Sequence, residues 1–405
     1  MDETSMSRSW AVVPPSGVEA FGAYVHWPEN LDWSTQLLRA ISYSSLGGSE
    51  FSEIMSAIRD LEVGNREAWL AAFSSLASEL DRQAAQCAEH GHDLSAIELW
   101  RRACIYFRMA TTFHAMDGIV ELPAMKESRR CFQTAMTLDP RSVEIPYEQY
   151  MLPGYLISPS GPTRSRPTIV VQGGIDAFSE EMWFKLGEAL VRRGYTVLLP
   201  DGPGQGESKR RRIGTRADYE VAIAAFINFL EHRDEVDPER IALVGSSMGG
   251  YFAARGAAFE KRLAAAVAWG AFYGLAPVPQ GDDSRRRVEQ AMATFAVDTV
   301  EELLEKIREF NLEGVASRIH IPFLVLHAVN DLQVPFAHAQ CLFDEIPDNR
   351  KRLVAFPPDH PGCTHCQLDT PSLAQVEIAD WLDEKLEPRT VQSGTQSERT
   401  LLDRD

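Results

Sequence analysis

Two hydrophobic rhythms divide the chain. From about Trp33 to Leu138, apolar residues recur at spacings of three and four, and no strand signal interrupts them. Phe51-Ser52-Glu53-Ile54-Met55-Ser56-Ala57-Ile58 and Ala68-Trp69-Leu70-Ala71-Ala72-Phe73-Ser74-Ser75-Leu76 show the pattern. Leu94 to Thr112 and Met125 to Leu138 follow as the paired helices of a hairpin, and Pro140 stops the second. One or two such units cannot stack into a solenoid, so they are expected to pack on what comes next. After about Val143 the rhythm changes. Tyr150 to Ile157 predicts a hairpin strand, and Gly161 to Pro167 a polar turn.

Short apolar runs then alternate with helical stretches: Thr168 to Val171, Thr196 to Leu199, Ile241 to Val244, Ala265 to Ala268, Phe323 to Leu326 and Arg352 to Phe356. Runs without polar alternation suit parallel strands covered on both faces by helices. Val300 to Ile307 predicts an amphipathic helix inserted late in the sheet, a candidate second lid. The expected organisation is a helical cap over 1–142, an α/β domain over 143–387 and a disordered polar tail over 388–405.

Composition narrows the partners. A formal charge of −18 over 405 residues repels nucleic acid and anionic membrane, leaving a small-molecule substrate as the expected partner. Met1 to Ser9 is polar, and no apolar run reaches the roughly 18 residues of a membrane span, so the cytosol is the expected compartment. Six scattered cysteines fit reduced thiols. Cys363-x-x-Cys366 brackets His365, but no second ligand pair follows, so neither a metal nor another cofactor is expected. Lys209-Arg210-Arg211-Arg212 is expected to be a solvated loop, and a homodimer is left open.

The chemistry centres on Gly245-Ser246-Ser247-Met248-Gly249, entered by Ile241 to Val244 and followed by a small helix-compatible stretch. Strand, sharp turn and helix together present a central serine as a nucleophile. Such a serine needs a base, a carboxylate to orient it and N–H donors for the oxyanion, in the chain order serine, acid, histidine. Asp331, just past the Phe323 to Leu326 run, is the expected acid, with Asp359 a weaker rival beside prolines. His365 is the expected base, with His360 the alternative. Met248 and either Gly174 or Ile175, in Gln172-Gly173-Gly174-Ile175-Asp176, are the expected oxyanion donors. Asp176 could hold a substrate phenol or ketone, protonate a carbanion, or cap the helix from Phe178 onward. Tyr106, Phe107 and His114 belong either to the core or to a substrate pocket between the domains.

These motifs, with Asp-x-Pro-Gly-x-Gly-x-Ser at Asp201 to Ser208, resemble the α/β-hydrolase superfamily. The N-terminal helices, the Gly173-Gly174-Ile175-Asp176 loop and the His365-Cys366 pair resemble one branch of it. That branch contains 2,6-dihydroxypseudooxynicotine hydrolase, the FrsA-like proteins and the fungal polyketide-shortening hydrolases. The resemblance covers roughly Leu94 to Leu386 and implies a helical cap on a hydrolase fold. It also implies cleavage of a carbon–carbon bond next to a ketone, with ester or lactone hydrolysis, acyl transfer or cyclisation as alternatives. In the nicotine-pathway enzyme a carboxylate after the glycine pair contributes to catalysis, and Asp176 stands at the matching place with a shorter side chain. An FrsA-like binding protein without catalysis would have a broken triad, whereas every triad position here is filled.

Overall fold

Helix α1 (Leu31–Ser42) begins where the Asn30 side chain accepts a hydrogen bond from the Trp33 amide at 3.1 Å, satisfying one of the N–H groups a helix start leaves without a partner. The computed structural model describes residues 22–114, 122–161, 165–275, 284–347 and 349–387. The tail over 388–405 and the segment Met1 to Ser9 lie outside the described residues. Helices α2 (Phe51–Ala57), α3 (Arg66–Glu89), α4 (Asp93–Ala110) and α5 (Pro123–Ala135) follow. Asn65 caps α3 through the Ala68 amide at 3.0 Å, and α5 starts with proline at its first position. Helices α3 and α4 pack along each other as a hairpin, and α5 lies against α4.

The sheet has eight strands: β1 (Arg141–Tyr147), β2 (Tyr150–Ile157), β3 (Arg166–Gln172), β4 (Thr196–Pro200), β5 (Val236–Ser246), β6 (Leu263–Trp269), β7 (Phe323–Ala328) and β8 (Lys351–Phe356). Their order is β1-β2-β4-β3-β5-β6-β7-β8, and β2 pairs antiparallel with both β1 and β4. All other pairings are parallel. The sheet starts at Arg141, slightly before the change of rhythm at Val143, because β1 pairs with β2 along its full length, Arg141 opposite Leu156 and Tyr147 opposite Tyr150. Only one face of β1 is covered, so its first residues carry no apolar signal.

The helical stretch 179–192 (α6), α7 (Gly206–Arg210), α8 (Glu220–Leu230) and α9 (Met248–Phe259) connect the strands from β3 to β6. Helices α10 (Ser284–Phe295) and α11 (Val300–Ile307) lie between β6 and β7, with α12 (Phe336–Glu345) and α13 (Pro371–Leu386) after them. Among the described residues, no helix is long and apolar enough to cross a membrane.

The N-terminal helices and one face of the sheet share a single apolar cluster. Trp33, Trp69, Phe73 and Phe113 belong to it together with Val171, Phe184, Trp269 and Trp381. Trp33 stacks on Phe113 at 4.3 Å, Trp69 meets Phe113 edge-on at 5.0 Å, and Tyr43 meets Phe184 edge-on at 6.3 Å. Each such side chain contributes roughly 1.5–3 kcal/mol by leaving water, so the helices are bound to the sheet layer by its core rather than by surface contact.

Candidate active site

Strand β5 runs into Gly245-Ser246-Ser247, and the backbone reverses at Ser247 with φ 57° and ψ −120°. A β-carbon-bearing residue adopts that conformation only under strain, so neighbouring structure must hold it. The Ser247 N–H donates to the Trp269 carbonyl at 2.7 Å, and the Ser247 carbonyl accepts from the Gly250 N–H at 2.8 Å. A side chain at Gly245 would collide with the Gly249 carbonyl, and one at Gly250 would lie 2.6 Å from the Ala271 β-carbon. The turn therefore closes only on glycine. Ser247 emerges at the carboxyl edge, where the chain leaves β3 for β4 on one side while β5 lies on the other. Open α/β sheets bind their ligands at such a switch point.

His365 Nε2 lies 2.9 Å from Ser247 Oγ, and His365 Nδ1 lies 2.6 Å from Asp331 Oδ2. Asp331 sits in the turn after β7. Its Oδ1 accepts from the Gln333 and Val334 N–H groups at 2.8 and 2.9 Å, which leaves Oδ2 to face the imidazole. Burial pushes the Asp331 carboxyl up, but the charge and hydrogen bond of His365 outweigh it and hold it below the ordinary range. The reverse applies to His365: burial opposes its charging, and Asp331 lifts it well above the usual histidine value. With Nδ1–H committed to the carboxylate, Nε2 of the neutral ring is the acceptor that faces the serine hydroxyl. Gln367 Oε1 accepts from Trp269 Nε1 at 2.6 Å, tying the histidine loop to β6, whose Trp269 carbonyl accepts from the Ser247 N–H.

The loop after β3 comes close to the serine. An added β-carbon on Gly174 would lie 2.9 Å from the Ser247 β-carbon and 3.4 Å from its hydroxyl. Gln205 Nε2 donates to the Gly173 and Gly174 carbonyls at 2.5 and 2.7 Å. In a trans peptide the following N–H points opposite the carbonyl, so this clamp turns the N–H groups of Gly174 and Ile175 away from Gln205. Met248 opens α9, where its N–H has no acceptor within the helix.

Opposite Ser247 stands a wall of charged side chains, enclosing a cavity of about 90 Å³. Gln36 and Arg39 from α1, Lys185 from α6, and Arg286 and Gln290 from α10 line it together with Asp176. Asp176 pairs with Arg39 and lies 3.5 Å from Arg108 Nη2, which also donates to the Asp176 carbonyl at 2.8 Å. Glu181 takes Arg39 at 2.7 Å, Arg108 at 2.9 Å and the Tyr43 hydroxyl at 2.8 Å. Arg286 Nε pairs with Asp32 at 2.6 Å, joining α10 to α1. Burial raises the Asp176 carboxyl, yet Arg39 and Arg108 hold it well below the ordinary range. An ionised carboxylate has no proton to give, so donation by Asp176 to a carbanion at neutral pH does not fit. Nor does helix capping: Phe178 precedes the first helical residue, and the Ser179 N–H donates to Asp201 Oδ1 at 2.9 Å instead.

A family model for the α/β-hydrolase fold matches residues 167–306. The 2,6-dihydropseudooxynicotine hydrolase of Paenarthrobacter nicotinovorans is 30% identical over 362 residues, covering 87% of this chain and 91% of that one. This chain belongs to the α/β-hydrolase family. The crystal structure of the 2,6-dihydroxy-pseudo-oxynicotine hydrolase matches with a TM-score of 0.72 at 26% identity, over 85% of this chain and 95% of that one. The α/β-hydrolase xenA of Xenoacremonium sinensis is 34% identical over 254 residues, which span 59% of this chain and 60% of that relative's length.

Several residues expected at the site of this α/β-hydrolase lie elsewhere. Tyr106 is fully buried, and its hydroxyl meets the Glu50 N–H at 2.7 Å and Glu53 at 2.8 Å, so it serves the helical packing and does not line the cavity. Phe107 is buried in the same cluster, and His114 Nε2 faces Glu67 at 3.2 Å, so neither lines it. His360 is exposed, with Nδ1 2.5 Å from the Pro361 carbonyl, and Asp359 is exposed beside it. Cys363 Sγ donates to the Gly22 carbonyl at 3.3 Å, whereas Cys366 Sγ lies 3.5 Å from His365 Nε2.

The basic run after β4 is not simply solvated. Arg210 and Arg211 pair with Glu207, and Lys209 Nζ reaches the Ile175 carbonyl at 3.3 Å, its ammonium lowered to about 8 by burial. Of the inserted helices, α10 rather than α11 lines the cavity. Sequence reading did not single out Arg39, Arg108, Lys185 or Arg286. The available signal was a lone basic residue inside an apolar run, as in Met182-Trp183-Phe184-Lys185-Leu186.

Proposed function

We propose that this α/β-hydrolase is a serine hydrolase that cleaves a carbon–carbon bond next to a ketone in an aromatic or polyketide-like small molecule. The observation that carries the reading is the unbroken line of hydrogen bonds from Ser247 through His365 to Asp331, at 2.9 and 2.6 Å, on a strained turn. Ser247 Oγ attacks the ketone carbon while His365 Nε2 takes its proton. The oxyanion is received by the N–H groups of Met248 and of Gly174 or Ile175. Collapse breaks the bond to the neighbouring carbon, whose electron pair takes the proton from the His365 imidazolium. Water, activated by the same histidine, then hydrolyses the acyl-enzyme to a carboxylic acid.

The carbon–carbon assignment leans on the likeness to the dihydropseudooxynicotine hydrolase along nearly the whole chain. Asp176 enters as a positioning residue: its charge holds Arg39 and Arg108 against the glycine loop. Residues up to 142 act as the cap over the catalytic unit, 143–387. An aryl 1,3-diketone is the test. Release of a carboxylic acid and a ketone by the wild type, lost in Ser247→Ala, is the expected result. Turnover of the diketone by Ser247→Ala would overturn the mechanism. Cleavage of p-nitrophenyl esters without cleavage of the diketone would leave a serine esterase instead.

A further inference from the structure

Lys185 stands in a π-helical turn, Trp183–Gly187, within α6. Such a turn gives up regular helical hydrogen bonding and recurs at functional positions. Here it sends Trp183, Phe184 and Leu186 into the core, while Lys185 faces the cavity of Ser247. Every carboxylate within this wall already has an arginine: Asp176 and Glu181 hold Arg39 and Arg108, and Asp32 holds Arg286. The Lys185 ammonium makes no hydrogen bond or ion pair among the described residues, and burial followed by the charge of Arg39 lowers its affinity for the proton against the opposing attraction of Glu181 and Asp176.

Two further polar atoms of the same cavity wall, Arg39 Nε and Gln36 Oε1, are buried without a hydrogen-bond partner. Buried polar groups are nearly always satisfied, so these two atoms show that the wall's own side chains do not complete its hydrogen bonding. Around this cavity Arg39, Arg108, Arg286 and Lys185 outnumber the carboxylates of Asp32, Asp176 and Glu181, and a bound anion relieves that excess of positive charge.

We propose that Lys185 is the seat for an anionic oxygen on the substrate. The substrate class is thereby a carbonyl compound that also carries an ionised carboxylate, phenol or enol. The inference rests on Ser247 being the nucleophile of this cavity, and the experiment separates the two. Hydrolysis of p-nitrophenyl hydrogen glutarate is compared with that of its neutral methyl ester, for wild type, Lys185→Met, Lys185→Arg and Ser247→Ala, with thermal unfolding as a fold control.

Wild type is expected to favour the charged ester by about tenfold or more, mainly through KM. Lys185→Met is expected to lose at least about tenfold more on the charged ester than on the neutral one, and Lys185→Arg to restore part of the preference. Inhibition of the neutral ester by butyrate and by cyclohexane-1,3-dione, an enolate at neutral pH, tells which acidic oxygen the seat prefers. Inhibition by either that weakens in Lys185→Met supports the seat. Equal losses on both esters, no preference in the wild type, or inhibition by neither anion would overturn it. Turnover persisting in Ser247→Ala would instead strike the underlying reading. If Lys185→Met unfolds, Lys185→Arg and the wild-type preference for charge still decide.

Discussion

The two sides of the cavity are built on opposite principles. On the sheet side, Ser247, Met248 and Gly174 are fixed by backbone: a φ of 57°, a carbonyl clamp from Gln205 and close approaches that admit only glycine. On the facing side, Arg39, Arg108, Asp176 and Glu181 are fixed by one another, through ion pairs reaching across about 70 to 140 positions of sequence. The first side places reacting atoms in one geometry. The second sets the charge met by whatever enters, and its members are exchangeable without rebuilding the turn. In the proposed reading, the nucleophile and oxyanion donors are thus positioned by the main chain, and the charge that meets the substrate by side chains.

Substitutions can break this contrast, beginning with the largest effect. Ser247→Ala is expected to lower kcat by at least about 10⁵-fold while leaving unfolding unchanged, as read by acid release and a melting curve. Asp331→Asn is expected to cost up to about 10⁴-fold in kcat. It also has a pH signature. The base must be neutral to accept the serine proton, so activity falls as pH drops below the His365 pKa, which Asp331 holds above the ordinary histidine value of 6.5. The acid limb of kcat/KM should therefore lie above that value in the wild type and move to lower pH in Asp331→Asn.

Gly174→Ala, which places a methyl group beside the serine hydroxyl, is expected to lose about a hundredfold in kcat with little change in KM. On the facing side the effect should move from rate to stability. Arg39→Met leaves Asp176 and Glu181 with Arg108 alone, and denaturant unfolding should show a loss of about 3 kcal/mol. Smallest of all, Tyr106→Phe should leave KM within about twofold, since its hydroxyl bonds within the helices, and cost about 1 kcal/mol of stability. A large KM effect there would mean that the helical layer reaches the substrate by another route.

The same contrast governs what could be read from sequence. Ile241 to Val244, the glycines around Ser247 and the later positions of Asp331 and His365 are local signals, because each follows a strand whose apolar run is continuous. The freer loop favours His365 over His360, and the structure puts His365 against Ser247 and His360 in solvent. The charged wall left little local trace beyond the lone lysine within Met182 to Leu186. Arg39 and Arg286 look like ordinary helix residues until α1, α6 and α10 meet, and Asp176 looks like a cap until its arginines arrive. Tyr106 shows the opposite limit: an aromatic stripe at helical spacing signals burial, but not which cavity, if any, it faces.

The pair of Asp32 with Arg286 carries a practical consequence for dissecting the molecule. It joins a helix ahead of the first strand to one inserted between the sixth and seventh. A fragment trimmed to the sheet and its flanking helices would keep the serine, histidine and aspartate, yet would expose Arg286, Glu181 and Asp176 stripped of their partners. Shuffling the leading helices between relatives is therefore an exchange of counter-charges as much as of shape. A swapped helix without an acid at the Asp32 position would need a second change, at Arg286, to be compatible.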